Sequence, residues 1–468
     1  MKVEQIYTGC LAQGAYYIES DGEAAIIDPL RDPKPYIDKA AAKGSKIKFI
    51  FETHFHADFV SGHLELAGKT GATIVYGPGA TTDYAIHQAK DGEEFEVGRL
   101  KIKALHTPGH TLESTTYLLL DEEGNEHAIF SGDTLFIGDV GRPDLSQKGD
   151  LTQDDLAAML FKSLRTRIMT LPDEIVVYPA HGAGSACGKN MSKETSDLLG
   201  NQKKTNYALR ADMTQEEFIK EVTDGLLPPP RYFAENVAMN KSGAPDLDTV
   251  LHRGNVPLDP ATFEQIANEQ NALVLDTRSA QDFAKGHIPN SIFIGIDGGF
   301  APWVGALIPD LEQAIIFLCS PGREEEVITR LSRVGYDNTL GFLEGGVDAW
   351  TSSQRALETV TSLTAENFAE KFNKVNDLKI LDVRKPGEFY LGHVEDALSF
   401  PLDFINDNME DLDADEHYFI HCAGGYRSMI AASILKSRGF HQLVDVAGGF
   451  KSISETKIPL ASQKVEVS

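Results

Sequence analysis

Two imidazoles and a carboxylate lie within five residues near the start of the chain, at His54, His56 and Asp58. The apolar run at positions 47–51 leads directly into them, which predicts a buried strand with polar side chains at its end. Imidazole and carboxylate groups together suit zinc or iron. The spacing therefore predicts a metal site at the mouth of a strand; the alternative is a set of polar loop residues.

Three further polar signals follow along the chain, in the motifs PGH ending at His110, SGD ending at Asp133 and YPAH ending at His181. Apolar runs at positions 128–130 and 175–178 precede the last two motifs. Alternation of such runs with helical segments predicts a layered α/β domain with a site along one edge of its sheets. The predicted helices lie at 35–43, 63–69 and 156–169.

The bulk composition is typical of a soluble protein with several domains. A chain of 468 residues is too long for one hydrophobic core. Its net charge of −27 argues against nucleic-acid or anionic-membrane partners, because both are themselves negative. The four cysteines are far apart, which argues against a disulfide framework and favours a reducing compartment. The N-terminus lacks an apolar signal core and no stretch approaches a membrane span, so we expect a cytoplasmic protein.

The order of these motifs resembles the metallo-β-lactamase superfamily, whose fold is an αββα sandwich. Within it the chain is similar to persulfide dioxygenases and to the thioester hydrolases called glyoxalase II. Two-metal hydrolases of this type carry a histidine directly after the aspartate, whereas this chain has Phe59 after Asp58. A phenyl ring cannot coordinate a metal, so two-metal hydrolysis is disfavoured. His63, a turn further along, is an alternative source of the missing ligand.

Resemblance to the persulfide dioxygenases implies one Fe(II) per chain, held by His54, His110 and Asp133 in the facial arrangement of two histidines and one carboxylate. It implies that a thiol persulfide of the glutathione or coenzyme A type is oxidised by O2 to sulfite and thiol. His56, Asp58 and His181 are expected to orient the metal ligands or the persulfide by hydrogen bonds, with polar loop groups as the alternative, and Tyr178 is expected beside them. Arg142 is expected to face an anionic thiol carrier or to form a surface ion pair. Cys187 is expected beside the site, as a persulfide carrier or as an ordinary buried residue.

The rest of the chain contains a repeat with an offset of 106 residues, since Asp276-x-Arg278 recurs as Asp382-x-Arg384. Two copies of one α/β domain are therefore predicted. These signals resemble rhodanese domains, in which the resemblance implies a mainly structural role for them. The predicted domains are 1–245, ending in a linker or surface arm, then 246–356 and 357–468.

The third domain carries a cysteine between an apolar strand and a helix, Cys422, followed by a glycine-rich turn. Loop N–H groups and the helix N-terminus at such a turn surround the sulfur and stabilise a thiolate or persulfide. The spacing resembles active rhodaneses, so Cys422 is the predicted nucleophile, and an inert buried cysteine is the alternative. The predicted cradle consists of Ala423, Gly424, Gly425, Tyr426, Arg427 and Ser428.

The corresponding loop of the second domain, at Cys319, departs from this pattern. Its arginine comes one residue earlier, and Pro321 has no N–H to donate. Three glutamates at 324–326 place carboxylates near the thiol, and like charge raises a thiol pKa. We expect a degenerate copy with a docking or structural role.

Nearly the whole chain resembles the persulfide dioxygenase–rhodanese fusions of bacterial sulfide detoxification. The resemblance implies that sulfite accepts a sulfane sulfur from Cys422 to give thiosulfate, or that thiosulfate loads Cys422 in the reverse direction. It also implies a homo-oligomer. Two alternatives remain, a glyoxalase II-like hydrolase with appended rhodanese domains and a sulfur-carrier protein whose metal site is only structural.

Overall fold

The computed structural model describes residues 1–146, 151–375 and 377–462. The chain divides into two compact units, one of residues 1–247 with 332–335 and one of residues 248–331 with 336–468. Within the described ranges, every helix is too short or too polar to cross a bilayer.

The first unit contains two six-stranded sheets, each with its strands in sequence order. The first sheet consists of β1 (Lys2–Thr8), β2 (Gln13–Ser20), β3 (Glu23–Ile27), β4 (Lys46–Phe51), β5 (Thr73–Tyr76) and β6 (His87–Gln88). The second consists of β7 (Glu94–Val97), β8 (Leu100–His106), β9 (Thr115–Leu120), β10 (Glu126–Gly132), β11 (Val176–Pro179) and β12 (Asp197–Leu198). The helices are α1 (Lys34–Lys43), α2 (His63–Thr70), α3 (Gln153–Ser163), α4 (Leu199–Thr205), α5 (Gln215–Thr223) and α6 (Tyr232–Ser242).

Side chains of neighbouring positions on these strands enter different cores. Tyr16 of β2 and Tyr117 of β9 belong to one buried cluster between the two sheets. Tyr17 packs with residues of α1 and α2 on the outer face of the first sheet, and Leu118 packs with residues of α3 on the outer face of the second. Both faces of each sheet are therefore buried, which explains the continuous apolar runs and confirms the predicted αββα sandwich.

The predicted ligand motifs all follow strand ends. The cluster at 54–58 follows β4, which ends at Phe51. Asp133 directly follows β10, and His181 lies two residues beyond β11. Three predicted helices correspond to α1, α2 and α3, the last extended by a π-helical turn at Leu164–Ile168.

The segment predicted as a linker or surface arm contains a helix, α6. Its buried side chains include Asn236 and Asn240 as well as Tyr232 and Phe233. Two of the four inward positions are polar, so apolar periodicity does not reveal this helix in the sequence.

The second unit contains two five-stranded parallel sheets of equivalent strand order, β13-β17-β16-β14-β15 and β18-β23-β22-β19-β21. The strands are β13 (Pro257–Leu258), β14 (Leu273–Asp276), β15 (Ile292–Phe293), β16 (Ile315–Leu318), β17 (Thr339–Leu343), β18 (Thr361–Leu363), β19 (Lys379–Asp382), β20 (His393–Val394), β21 (Leu398–Ser399), β22 (Tyr418–His421), β23 (Leu443–Val446) and β24 (Leu460–Ala461). The helices are α7 (Leu247–Gly254), α8 (Pro260–Glu269), α9 (Ala280–Lys285), α10 (Phe300–Leu307), α11 (Glu324–Ser332), α12 (Gly346–Ser352), α13 (Ala365–Phe372), α14 (Pro386–Leu391), α15 (Ile405–Asn408), α16 (Tyr426–Ser437) and α17 (Gly449–Ile453). The matching order confirms the internal repeat.

The repeated Asp-x-Arg pairs make equivalent bonds in the two copies. Arg278 Nε donates to Asp276 Oδ1 over 2.9 Å, and Arg384 Nε donates to Asp382 Oδ1 over the same distance. Each guanidinium also donates to the carbonyl of the glycine in the following Gly-His pair. These residues join the end of a central strand to the end of the next helix, which is a structural role.

Candidate functional site

His54, His110 and Asp133 come together in one buried cluster, with donor atoms within 4.8 Å of one another. Asp133 Oδ2 lies 3.4 Å from His110 Nε2 and 3.8 Å from His54 Nε2. The structure therefore brings together the three residues expected as metal ligands.

Hydrogen bonds on the far side of each imidazole fix its tautomer. The Thr53 hydroxyl donates to Asp28 over 2.9 Å, so the contact of 3.0 Å between Thr53 Oγ1 and His54 Nδ1 requires His54 to donate. His110 Nδ1 likewise donates to the Arg142 carbonyl over 2.8 Å. Both Nε2 atoms then carry free lone pairs.

These lone pairs converge on Asp133 Oδ2, a buried oxygen with no hydrogen-bond partner in the described part of the chain. Two imidazole lone pairs and a carboxylate oxygen repel one another unless a cation lies between them. The donor set and its outer hydrogen bonds thus fit a bound metal ion.

The electrostatic environment favours the protonation states that metal ligands need. Burial opposes ionisation of Asp133, but His181 and His54 hold the pKa of its carboxyl well below the ordinary value. Burial and the neighbouring His56 hold the pKa of His54 well below its ordinary value. A carboxylate and a neutral imidazole are the forms that bind metals.

His56 faces away from this cluster toward two buried carboxylates. Its Nε2 lies 3.1 Å from Asp28 Oδ1 and 3.4 Å from Glu52 Oε2. Burial lowers the pKa of His56, but the two carboxylates outweigh it and raise that pKa to about 10. The resulting imidazolium packs against the metal cluster, with its ring centroid 4.2 Å from that of His54.

Helix α6 fixes the same loop through one buried amide. Asn240 Nδ2 donates to the carbonyls of His56 and Phe59, each over 2.8 Å, and its Oδ1 accepts from the Ser61 N–H over 2.8 Å. Sequence reasoning missed this residue because it lies more than 175 positions beyond the loop that it binds.

His63 does not replace the missing ligand at Phe59. Its Nδ1 lies 3.1 Å from Glu52 Oε1 and its Nε2 lies 2.7 Å from the Tyr84 hydroxyl. Both ring nitrogens are engaged, so His63 offers no lone pair to the cluster.

A second buried cluster consists of Asp58, His181 and Cys187, whose donor atoms also lie within 4.8 Å of one another. His181 connects the two clusters, since its Nδ1 lies 2.9 Å from Asp133 Oδ1 and its Nε2 lies 2.8 Å from Asp58 Oδ2. Burial lowers the pKa of His181, but Asp133 and Asp58 raise it well above its ordinary value. Burial and the same carboxylates raise the pKa of the Cys187 thiol.

Two expected site residues have other roles. Arg142 is buried, forms two bonds of 2.6 Å to Asp144 and donates to the Leu227 carbonyl, so its charge does not face a thiol carrier, nor is it a surface pair. Tyr178 stacks on Phe130, with ring centroids 5.5 Å apart, beside the core between the sheets. The expected substrate contacts of Arg142 and Tyr178 stay predictions, and the contact of Arg142 with the metal cluster is made by its backbone carbonyl.

A cleft of about 310 Å³ opens beside His110. Phe55 and Lys241 form part of its wall, with Lys241 Nζ 4.8 Å from the centre of the Phe55 ring. Among the lining residues that the structure describes, the cationic side chain is Lys241, which belongs to the unpredicted helix α6.

The predicted sulfur cradle forms around Cys422. The Gly425 N–H lies 3.1 Å from Cys422 Sγ, and Gly425 has a φ of 100°, which favours glycine. Helix α16 begins at the next residue, so its N-terminus lies beside the loop that carries the sulfur.

Other members of the cradle loop are held by long-range bonds. Arg427 makes two bonds to Glu388, of 2.6 and 2.8 Å. Ser428 donates to Asp445 over 2.6 Å, and the Tyr426 hydroxyl donates to the Gly295 carbonyl over 2.7 Å. Ala423 and Gly424 complete the turn between β22 and α16.

Comparison with known proteins agrees with this architecture. A profile described as the metallo-beta-lactamase superfamily matches residues 8–181, and one described as the rhodanese-like domain matches residues 259–353 and 364–456. A crystal structure described as a metallo-beta-lactamase from Staphylococcus aureus subsp. aureus COL is 33% identical, with a TM-score of 0.64 and coverage of 73% of this chain and 98% of that one. The chain belongs to the metallo-beta-lactamase superfamily.

Two further similar proteins match mainly the first part of the chain. The cytoplasmic hydroxyacylglutathione hydrolase of Arabidopsis thaliana is 32% identical over 177 residues, which are 37% of this chain and 65% of that enzyme. The chain thus spans less than two thirds of the length of this relative. A crystal structure of ETHE1 from Myxococcus xanthus is 29% identical with a TM-score of 0.44, covering 52% of this chain and 99% of that one.

Membership of the metallo-beta-lactamase superfamily implies metal binding, and the clusters at the strand ends supply candidate ligands. The two rhodanese-like domains add a candidate sulfur site at Cys422. The protein is therefore a metallo-beta-lactamase-type enzyme fused to two rhodanese-like domains.

Proposed function

We propose that the first unit is an Fe(II)-dependent persulfide dioxygenase and that Cys422 exchanges sulfane sulfur with its product. The observation that carries this proposal is the buried cluster of His54, His110 and Asp133 beside a cleft. Two histidines and one carboxylate with open positions are the ligand set of non-haem Fe(II) oxygenases.

The overall reaction converts R–S–SH, O2 and H2O into R–SH, SO3²⁻ and two protons. The terminal sulfur is oxidised and O2 is reduced, and the S–S bond breaks to release the thiol. Bound Fe(II) supplies the redox chemistry with O2. His54, His110 and Asp133 would hold it, and the bonds that the two Nδ1–H groups donate to Thr53 Oγ1 and to the Arg142 carbonyl keep the imidazoles oriented.

The cleft supports a thiol carrier with an anionic group. Lys241 provides a positive charge on its wall and Phe55 provides an apolar face. Carboxylates of a glutathione-type carrier and phosphates of a coenzyme A-type carrier both pair with an ammonium group. Low-molecular-weight thiol persulfides are therefore the proposed substrate class.

The rhodanese half of the proposal transfers one sulfur atom. Cys422–S–S⁻ gives its outer sulfur to SO3²⁻, which leaves Cys422–S⁻ and S2O3²⁻; the reverse reaction loads Cys422 from thiosulfate. The Gly425 N–H and the N-terminus of α16 stabilise the anionic sulfur in both directions. Linking the two sites in one chain raises the effective concentration of the shared product.

A thioester hydrolase is the second candidate, because similar superfamily members are hydroxyacylglutathione hydrolases. Two-metal hydrolysis needs two cations with a reactive oxygen between them, and Phe59 supplies no ligand for the second. Iron content and oxygen uptake therefore separate the two candidates.

The deciding experiment loads the full chain with Fe(II) anaerobically and measures O2 uptake with glutathione persulfide and coenzyme A persulfide. We expect uptake with about one iron per chain. His110→Ala should lower both iron content and uptake by more than about 100-fold, whereas His87→Ala, an exposed histidine of β6, should leave both unchanged. Cleavage of a hydroxyacylglutathione with two zinc ions and no oxygen uptake would establish the hydrolase instead.

A further inference from the structure

A cavity of about 290 Å³ lies between the two rhodanese-like copies, inside the second compact unit. Helix α9 of the first copy forms one wall, and Gly425 and Met429 of the second copy form part of the opposite wall. The Gly425 N–H lies 3.1 Å from Cys422 Sγ. A molecule in this cavity would therefore contact the residue that holds the sulfur.

We propose that the first rhodanese-like copy completes the sulfur site of the second. The cavity takes a sulfane-sulfur anion with a small organic body, and Lys285 of α9 recognises its negative charge. The inference rests on the proposed function, since it requires Cys422 to exchange sulfur, but it does not depend on the dioxygenase half.

The cradle loop itself has little positive charge to offer an anionic sulfur donor. Arg427 is the basic residue of this loop, and two hydrogen bonds of 2.6 and 2.8 Å bind it to Glu388. The chain as a whole has a net charge of −27, which disfavours the approach of anions. A cation supplied from outside the loop would lower that barrier.

Lys285 is the cationic side chain among the cavity's lining residues that the structure describes. Its Nζ lies 3.7 Å from Asp282 Oδ1, and the two side chains are 78% and 54% exposed. Such exposed pairs contribute little free energy, so Lys285 can exchange this contact for one with a bound anion. The acidic residue of the lining, Asp445, accepts from Ser428 over 2.6 Å and from Ser362 over 2.9 Å.

The rest of the lining is mostly small and apolar. Ala280 and Ala284 both line the cavity from α9, one helical turn apart, and Met429 lines it from α16. Small-molecule pockets have volumes of about 300–1,000 Å³, apolar walls and a few polar groups. Thiosulfate would leave most of this cavity empty, whereas an organic body attached to the sulfane sulfur would bury apolar surface in it.

The equivalent helix of the second copy shows that the fold does not require these residues. At the repeat offset of 106 positions, Ala284 and Lys285 correspond to Tyr390 and Leu391 of α14. Leu391 is 87% exposed. The small side chain and the cation therefore belong to the cavity of the first copy and not to the helix as such.

Hydrogen bonds hold the walls of the cavity in place. The Phe293 N–H donates to Ser433 Oγ of α16 over 2.9 Å, which ties the first copy to the cradle helix. The Val360 N–H donates to the Ala284 carbonyl over 3.0 Å, which ties α9 to the segment between the two copies. Walls that are fixed before a ligand binds reduce the entropic cost of binding.

The proposed step transfers one sulfur atom. Cys422–S⁻ attacks the outer sulfur of R–SO2–S⁻ or R–S–S⁻, and the bond from that sulfur to the rest of the donor breaks. Its electron pair leaves with R–SO2⁻ or R–S⁻, and Cys422 carries the persulfide Cys422–S–S⁻. Lys285 pairs with the charge of the donor and of the leaving group, while the Gly425 N–H and the N-terminus of α16 stabilise the persulfide.

The test measures how fast Cys422 of the full chain acquires a persulfide under anaerobic conditions. The donors are thiosulfate, benzenethiosulfonate and glutathione persulfide, and mass spectrometry quantifies the trapped Cys422 peptide. Lys285→Ala removes the cation, Lys285→Arg keeps it, and Ala280→Leu narrows the cavity from its partly exposed side.

Lys285→Ala should raise the KM for each anionic donor roughly three- to tenfold with little change in the maximal rate, because uniform binding is lost. Lys285→Arg should stay within about twofold of the unsubstituted protein, since the charge is kept. Lys374→Ala is the matched control, because Lys374 has a similarly exposed pair with Glu370 and does not line the cavity.

Ala280→Leu should slow loading from benzenethiosulfonate at least about fivefold relative to loading from thiosulfate. Ala261→Leu, an exposed alanine in the first turn of α8, should leave this ratio unchanged. A ratio of two donors on one sample does not depend on the folded fraction, so it decides the question even for a destabilised variant. An equal loss with glutathione persulfide would identify thiol persulfides as a source, and a loss with benzenethiosulfonate alone would identify thiosulfonates.

An unchanged KM in Lys285→Ala would overturn the role of Lys285, and an unchanged donor ratio in Ala280→Leu would overturn the role of the cavity. In both cases Cys422 would still acquire sulfur, so the proposed sulfur exchange would stand. If no donor loads Cys422 in the unsubstituted protein, the sulfur exchange fails and this inference fails with it. The two failures are therefore distinguishable.

Discussion

The two rhodanese-like copies share a fold but differ at the loop that holds the cysteine. At Cys422 the following arginine, Arg427, pairs with Glu388 from another helix, and the loop N–H of Gly425 lies 3.1 Å from the sulfur. At Cys319 the arginine pairs with Glu326 of its own helix and with Asp297. Each sulfur is near one backbone N–H, that of Gly425 at Cys422 and that of Arg323 at Cys319, but Cys319 also has the Glu324 carboxylate nearby.

The charge near each thiol follows from this difference. Burial and the Glu324 carboxylate raise the pKa of Cys319 to about 12, although the neighbouring Arg323 opposes them. A thiol with such a pKa is almost fully protonated at neutral pH and is a poor nucleophile. We therefore expect Cys319 to transfer sulfur poorly, because one loop residue is missing and carboxylates follow it, although the fold around the two cysteines is the same.

Replacing the two cysteines in turn gives the largest expected effect. Cys422→Ser should lower transfer of sulfur from thiosulfate to cyanide by more than about a thousandfold, because serine cannot carry a persulfide. Cys319→Ser, the matched control, should change the rate less than about twofold. Retained transfer in Cys422→Ser together with its loss in Cys319→Ser would reverse the assignment of the two copies.

The sequence predicted those parts of the sites that depend on short segments. The strand β4 and its ligand cluster are continuous in the chain, and so are β22, the cradle loop and α16. The residues that form these sites are close together in the sequence, because a strand end or a helix start positions them directly. The repeat was visible for the same reason, since Asp-x-Arg is a local motif.

The contacts that the sequence did not predict are made across the fold. Tyr178 is half-buried and packs against the core between the sheets, and alternation could not show this because β11 is covered on both faces. Arg142 bonds to Leu227, 85 positions away, and Asn240 bonds to Phe59, 181 positions away. Neither partner is recognisable without the tertiary structure, so local sequence patterns do not predict the contacts of these side chains.

Removing one negative charge near Cys319 should have an effect of intermediate size, and it tests the electrostatic difference between the two copies. Glu324→Gln should lower the pKa of Cys319 from its value of about 12, because a like charge near the thiolate is lost. Alkylation of Cys319 should then be roughly three- to tenfold faster at pH values well below that pKa. The advantage should disappear once the pH exceeds both pKa values, when each thiol is fully ionised.

Mass spectrometry of the alkylated Cys319 peptide as a function of pH measures this effect. Glu325→Gln is the matched control, because Glu325 is exposed in the same first turn of α11. Glutamine at 324 keeps an oxygen to accept from the Gly322 N–H. Equal rate profiles for the two variants would show that burial alone, not Glu324, suppresses Cys319.

The smallest expected effect tests whether the first rhodanese-like copy, which carries Cys319, stabilises the second copy, which carries Cys422. The Tyr426 hydroxyl donates to the buried carbonyl of Gly295, which belongs to the first rhodanese-like copy. That carbonyl also accepts from the Gly298 N–H over 3.3 Å, so Tyr426→Phe removes one of its two hydrogen bonds and should lower the free energy of unfolding by about 0.5 to 1.5 kcal/mol. Sulfur transfer at Cys422 should stay within about twofold, because the hydroxyl bonds away from the sulfur.

Pulsed alkylation of the buried Cys422 across a urea series reports unfolding of its domain within the full chain, where a single global transition is not expected. Tyr390→Phe is the matched control, since Tyr390 is 39% exposed. A lower urea midpoint for Tyr426→Phe alone would mean that the first rhodanese-like copy stabilises the cradle loop of the second. An unchanged midpoint would mean that the first rhodanese-like copy does not stabilise the second through this bond.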